Sequence, residues 1–235
     1  MSEIHRAELQ FLATQSSREV SAIFLRPPAA RWLLVLAHGA GAGMLHSFME
    51  AISEELASQS IATFRYQFPY MEQGGGRPDP PAVLVATVRA AVRAATEVAP
   101  DLALLAGGKS LGGRMTSTAA SQSPLPGVQG VVFFGFPLHP PGQPSTDRAR
   151  HLHAVTVPML FLQGTRDKLA ELELLRPICS DLGKRAQLHI IEGADHSFGV
   201  LKRSGRNELE VLRELGTTVA AWADRLGKGS VVPRD

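Results

Sequence analysis

The chain has 235 residues, 44% of them hydrophobic and 20% charged, with a net charge of +2. That is enough for one sizeable core and predicts a single domain over residues 1–235, while the scattered Lys and Arg form no basic stripe of the kind nucleic acid requires. The lone cysteine, Cys179, excludes an internal disulfide and a cysteine-based metal site; no run approaches the roughly 18 apolar residues of a membrane span, and the charged N-terminus lacks a signal-peptide core, so a cytoplasmic location is expected.

Glu8–Ala13 and Glu19–Leu25 have strand character and flank Thr14-Gln15-Ser16-Ser17, which predicts an antiparallel hairpin. Trp32–Ala37 is an almost unbroken apolar run, too short for a helix and suited to a strand buried on both faces. It leads into the Gly-rich loop His38-Gly39-Ala40-Gly41-Ala42-Gly43, then a helical pattern over Phe48–Gln59. Ile61–Tyr66 reads as a strand, Gln67–Pro81 as loop, and Ala82–Val98 as an amphipathic helix with Val85, Val88, Val92 and Ala95 on one face, ended by Pro100. Strands follow at 102–106, 128–134, 157–162 and 187–191, with helices at Glu171–Leu182 and Asn207–Leu226 and a frayed tail over 227–235. The alternation of strands and helices from residue 32 predicts a mainly parallel sheet covered by helices on both faces, with functional loops at the carboxyl ends of the strands.

At the end of the strand at 102–106 stands Gly107-Gly108-Lys109-Ser110-Leu111-Gly112-Gly113-Arg114-Met115. Gly108 to Gly112 fit G-x-S-x-G, a turn in which a serine caps a strand-to-helix reversal so tight that residues two before and two after lack side chains. A P-loop shares the Gly-Lys-Ser ending, but its first glycine would fall at Ala103, inside the apolar run. A dinucleotide fingerprint in the earlier loop fits at Gly39 and Gly41 and fails at Met44, and the next strand ends in Arg65-Tyr66 without an acid. No cofactor and no metal are expected.

Three reactive residues fall after three strands: Ser110, Asp167 in Gly-Thr-Arg-Asp, and His196 in Ala-Asp-His-Ser. The order Ser, Asp, His and the whole strand–helix units between them allow all three to meet on one rim of the sheet. Ser110 would be the nucleophile, His196 the base and Asp167 the orienting anion, with the N–H groups of Leu111 and Ala40 holding an oxyanion. Asp167 could instead cap a following helix, Asp195 is a rival acid, His189 lies within a strand, and His38 buttresses its own loop.

With His38-Gly39-Ala40-Gly41 and Phe68-Pro69-Tyr70, the elbow resembles the small α/β-hydrolases of the dienelactone-hydrolase-like group, in the branch that includes the testis-expressed and NSL-complex-subunit proteins. The resemblance spans roughly residues 30 to 225 and implies an α/β-hydrolase fold with a Ser-Asp-His triad on these positions. A dienelactone hydrolase proper has a cysteine where this chain has Ser110. The expected activity is hydrolysis of carboxylic esters or related small acyl compounds by a serine hydrolase, with a non-catalytic, partner-binding hydrolase fold as the alternative; no nucleic-acid or membrane partner is expected. The interval Gly135–Thr156 is too short and too Pro-rich for a large cap. The site is therefore expected to be shallow, walled by the Gly-rich loop, Gln67–Pro81 and Pro137–Pro144.

Overall fold

The computed structural model describes residues 3–14 and 19–229. Eight strands form one sheet: β1 (His5–Leu12), β2 (Glu19–Arg26), β3 (Trp32–Ala37), β4 (Ile61–Tyr66), β5 (Ala103–Lys109), β6 (Val128–Phe134), β7 (Met159–Gly164) and β8 (Ala186–Ile191). Their order is β1-β2-β4-β3-β5-β6-β7-β8. β1 pairs antiparallel with β2, and β2 with β4; from β4 through β8 every pairing is parallel. The expected opening hairpin is present as β1 and β2, although residues 15–17 of its turn lie outside the described residues.

The helices are α1 (Ser47–Ser58), α2 (Pro69–Glu72), α3 (Pro81–Val98), α4 (Leu111–Gln122), α5 (Leu172–Leu182) and α6 (Glu208–Gly229). The sheet divides the apolar side chains into two layers because successive residues of a strand face opposite sides. Leu33, Val35 and Ala37 of β3 pack with α3, α4 and α5, whereas Trp32, Leu34 and Leu36 pack with α1 and α6. All six residues of β3 and of β7 are buried, as strands covered on both faces must be. Val85, Val88, Val92 and Ala95 of α3 are buried as their spacing predicts.

Several boundaries differ from expectation. β5 continues through both glycines to Lys109, and α4 begins at once with Leu111. Glycine is a poor strand former, but here the flanking strands supply the ladder: Gly107 pairs with Leu36 and Val132, and Gly108 with Ala37 and Phe133. β7 runs over 159–164 rather than 157–162, because Pro158 opens it and Gly164 closes it on β8. The loop at 67–81 contains α2, for which Pro69 supplies the first helical residue. The tail thought to fray from 227 is helical to Gly229, and residues 230–235 lie outside the described residues. Between β6 and β7 lie an irregular Pro-rich stretch and a 3₁₀ segment, Asp147–Ala154, with no large cap. Among the described residues no helix is long and apolar enough to cross a membrane.

Candidate active site

Ser110 sits between the last residue of β5 and the first of α4 at φ +49°, ψ −113°. An L-residue reaches that region only under tertiary constraint, and the strain is local and held from both sides. The Ser110 N–H donates to Phe134 O at 3.2 Å, and its carbonyl accepts from Arg114 N–H at 3.1 Å. The close approach explains the glycines. A Cβ on Gly108 would stand 2.3 Å from Ala37 O, and one on Gly112 would stand 2.5 Å from the same oxygen. Both contacts are with backbone and have nothing flexible to yield.

At that apex Ser110 Oγ lies 2.8 Å from His196 Nε2, and His196 Nδ1 lies 2.7 Å from Asp167 Oδ2. With the Nδ1 proton donated to the carboxylate, Nε2 is left to accept from the serine hydroxyl. Asp167 is buried with 4% exposure, yet its oxygens are provided for: Oδ1 accepts from Leu169 N–H at 2.8 Å, and Oδ2 also accepts from the Gln163 amide. The structure thus brings together the three residues that the sequence placed at three strand ends. The capping role considered for Asp167 is present only as its bond to Leu169, since α5 does not begin until Leu172. The imidazole Nδ1 meets Asp167 and not Asp195, whose Oδ1 accepts from Ser197 and Gly199 N–H at 2.9 and 3.0 Å. His189, on edge strand β8, meets Glu214 of α6 at 2.8 Å.

The Gly-rich loop lies beside this chain of bonds. A Cβ on Gly39 would be 3.8 Å from Ser110 Cβ, and Ala40 lines the same cavity as Ser110 and His196. The loop is anchored at both ends by residues just after β4. His38, fully buried, donates from Nδ1 to Gly39 O at 2.8 Å and accepts at Nε2 from Phe68 N–H at 3.1 Å, while Gln67 Oε1 accepts from Met44 N–H at 2.8 Å. Burial pushes His38 down to about 4, so it stays neutral and serves as the buttress expected of it. Leu111 is the first residue of α4, where an N–H has no intrahelical carbonyl to reach.

The cavity at Ser110 measures about 430 Å³ and is lined by Gly39–Ala42, His46, Phe48, Met49, Lys109, Leu169, His196 and Ser197. Its walls correct the expectation. The start of α1 and Leu169 take the places assigned to Gln67–Pro81 and Pro137–Pro144. The first of those segments supports the Gly-rich loop from behind, and the second lines a separate recess with Arg148. Among the described residues no cluster of His, Cys, Asp or Glu is arranged to hold a metal ion.

Two supporting residues escaped the sequence reading. Gln163 is fully buried and joins Asp167 to Phe136, whose N–H donates to its Oε1 at 3.0 Å. Its signal was an amide in the otherwise apolar strand Met-Leu-Phe-Leu-Gln-Gly. Lys109, inside the elbow motif, donates from Nζ to the His196 carbonyl.

The alpha/beta hydrolase domain family matches residues 30–224. Among solved structures, the fold is similar to a dienelactone hydrolase from Anabaena variabilis (TM-score 0.74, 20% identity, 94% of this chain and 97% of that one). It is similar also to a lidless serine hydrolase from Xanthomonas campestris (TM-score 0.72, 18% identity, 92% and 94%). A third match is the esterase domain of a Rhodothermus marinus protein (TM-score 0.71, 17% identity, 94% and 98%).

Proposed function

Since the chain belongs to the alpha/beta hydrolase domain family over residues 30–224, we propose that it is a serine hydrolase that cleaves carboxylic esters of small acyl groups through Ser110, His196 and Asp167. The observation that carries this reading is the unbroken run of hydrogen bonds from Ser110 Oγ through His196 to Asp167, opening on a 430 Å³ cavity.

The chemistry follows from that geometry. Ser110 Oγ adds to the ester carbonyl carbon as its proton passes to His196 Nε2. The imidazolium so formed is stabilised by Asp167, which already receives three hydrogen bonds. The Leu111 and Ala40 N–H groups are the proposed donors to the oxyanion, and neither has to move a chain segment first, because α4 and the buttressed loop hold them in place. Collapse of the tetrahedral adduct expels the alkoxide, which takes the proton from Nε2. A water then gives its proton to Nε2 and adds to the acyl carbon, and the second collapse returns the carboxylic acid and the free serine.

A small acyl group fits because the cavity is open and no cap closes over it. The dienelactone hydrolase and esterase neighbours support hydrolysis as the class of reaction. Fluorophosphonate labelling tests the proposal. Wild-type protein should be labelled within minutes and S110A not at all. Absence of labelling in the wild type would leave a hydrolase fold without the activity.

A further inference from the structure

The residue before Ser110 does something its motif does not require. Lys109 is the variable position of Gly-Lys-Ser-Leu-Gly, yet its side chain is tucked beneath the site and its Nζ donates to the backbone carbonyl of His196. Nζ lies 5.9 Å from the centroid of Phe48 and 5.3 Å from that of Phe198, two rings stacked 5.6 Å apart with an interplanar angle of 14°. On its far side, a Cβ at Gly135 would meet Nζ at 3.2 Å and the His196 ring at 3.4 Å, so ammonium and imidazole back onto the same glycine. Lys109 forms no salt bridge among the described residues. The charged groups facing it are Asp167, from the loop after β7, and Asp195, from the loop after β8. The imidazoles of His196 and His46 border the same cavity, and α1 presents Phe48 and Met49.

We propose that Lys109 is a positioning residue for the base: its ammonium straps the backbone of His196 to the residue that precedes the nucleophile, and full activity requires it in the charged form. The inference rests on the serine hydrolase reading above. β6 and β7 separate β5 from β8 in the sheet, so the Lys109 bond ties the end of β5 directly to the loop after β8. A charge-assisted bond to a carbonyl, together with two aromatic faces, is stronger and more directional than what a neutral amine or a methylene could supply. Burial pushes Lys109 down from 10.5 to about 8, against the opposing pull of Asp167 and Asp195. Its proton is therefore lost, and the strap weakened, as pH rises through about 8.

The experiment is a kcat/KM profile from pH 6 to 10 on a p-nitrophenyl acetate substrate, with fluorophosphonate labelling rates at the same pH values, for wild type, K109R and K109M. Wild type should show an alkaline limb near pH 8. K109R, charged throughout the range, should remove that limb and keep activity at pH 7. K109M should lose about tenfold in kcat at pH 7, with KM within about twofold, and show no limb near 8. If K109M fails to fold, wild type and K109R decide the matter. A wild-type profile flat between pH 7.5 and 9.5, or a limb that persists unchanged in K109R, would overturn the role of Lys109 while leaving the hydrolase reading intact. Failure of wild type to label at any pH would instead remove the hydrolase reading itself.

Discussion

Ser110 and Ser117 stand two helical turns apart, one capping α4 and one within it, and each meets a histidine nitrogen at almost the same distance: 2.8 Å to His196 Nε2 and 2.7 Å to His151 Nε2. What surrounds the two contacts separates them. His196 has the Asp167 carboxylate behind it and an open cavity before it. His151 has a backbone carbonyl of Arg148 behind it, and burial reinforced by the charge of Arg114 pushes it down to about 4. It cannot keep a proton taken from a hydroxyl near neutral pH. Ser117 is fully buried with ordinary helical backbone, whereas Ser110 is held at positive φ on the rim. A serine–histidine hydrogen bond is therefore no site by itself. The carboxylate, the strained apex and the access set the proposed nucleophile apart, whereas the second pair ties α4 to the 3₁₀ segment.

The sharpest way to break this comparison is to remove the two hydroxyls in turn. S110A should lower kcat by about 10⁶-fold, the scale of nucleophile loss in a hydrogen-bonded triad, with unchanged thermal unfolding. S117A should keep kcat within about twofold and show its effect only as a lowered Tm. Equal losses in the two variants would mean that the carboxylate and the cavity are not what distinguishes them. D167N should cost about 10⁴-fold in kcat, since the amide favours the wrong tautomer of His196, whereas D195N should change kcat by less than about tenfold. If D195N proved the more damaging, the hydrogen bonds in this structure would not describe the working acid. Q163L leaves the Phe136 N–H unpaired and takes one donor from Asp167; about tenfold in kcat is expected, on the scale of one lost buried hydrogen bond. A smaller effect is expected along an ester series. With no cap to cover extra methylenes, each worth about 0.8 kcal/mol if buried, acetate and butyrate p-nitrophenyl esters should exceed the palmitate in kcat/KM. A reversed order would show a covered acyl tunnel.

Acid should act on the stability of the fold through two buried histidines, His38 and His151. His38 and His151 are both lowered to about 4 by burial, against 6.5 in the unfolded chain. Between those values the unfolded chain binds protons that the folded one refuses, so their contribution to stability is complete above pH 6.5 and is lost as pH falls toward 4. Melting followed by circular dichroism should show Tm several degrees lower at pH 5 than at pH 7, and H38Q should flatten that decline. A Tm independent of pH over this window would contradict the buried neutral state.

Local chemistry carried much of this protein into view from the chain alone. Trp32–Ala37, Ile61–Tyr66 and Val128–Phe134 form strands over the bounds the sequence predicts, because each is a short, mostly apolar segment, too short for a helix. The elbow was legible because a serine between Gly108 and Gly112 has few other geometries, and Asp167 and His196 were legible as polar residues just beyond buried strands. What tertiary structure decided is whatever depends on which strand ends lie side by side. The cavity walls came from α1 and Leu169, not from the long loops, because the sheet order sets β3 beside β5 and so brings the start of α1 to Ser110. Gln163 and Lys109 have meaning only once β5, β6, β7 and β8 are assembled, since each reaches partners on another strand end, far away along the chain. Periodicity records which face of an element is buried; it does not record which element buries it.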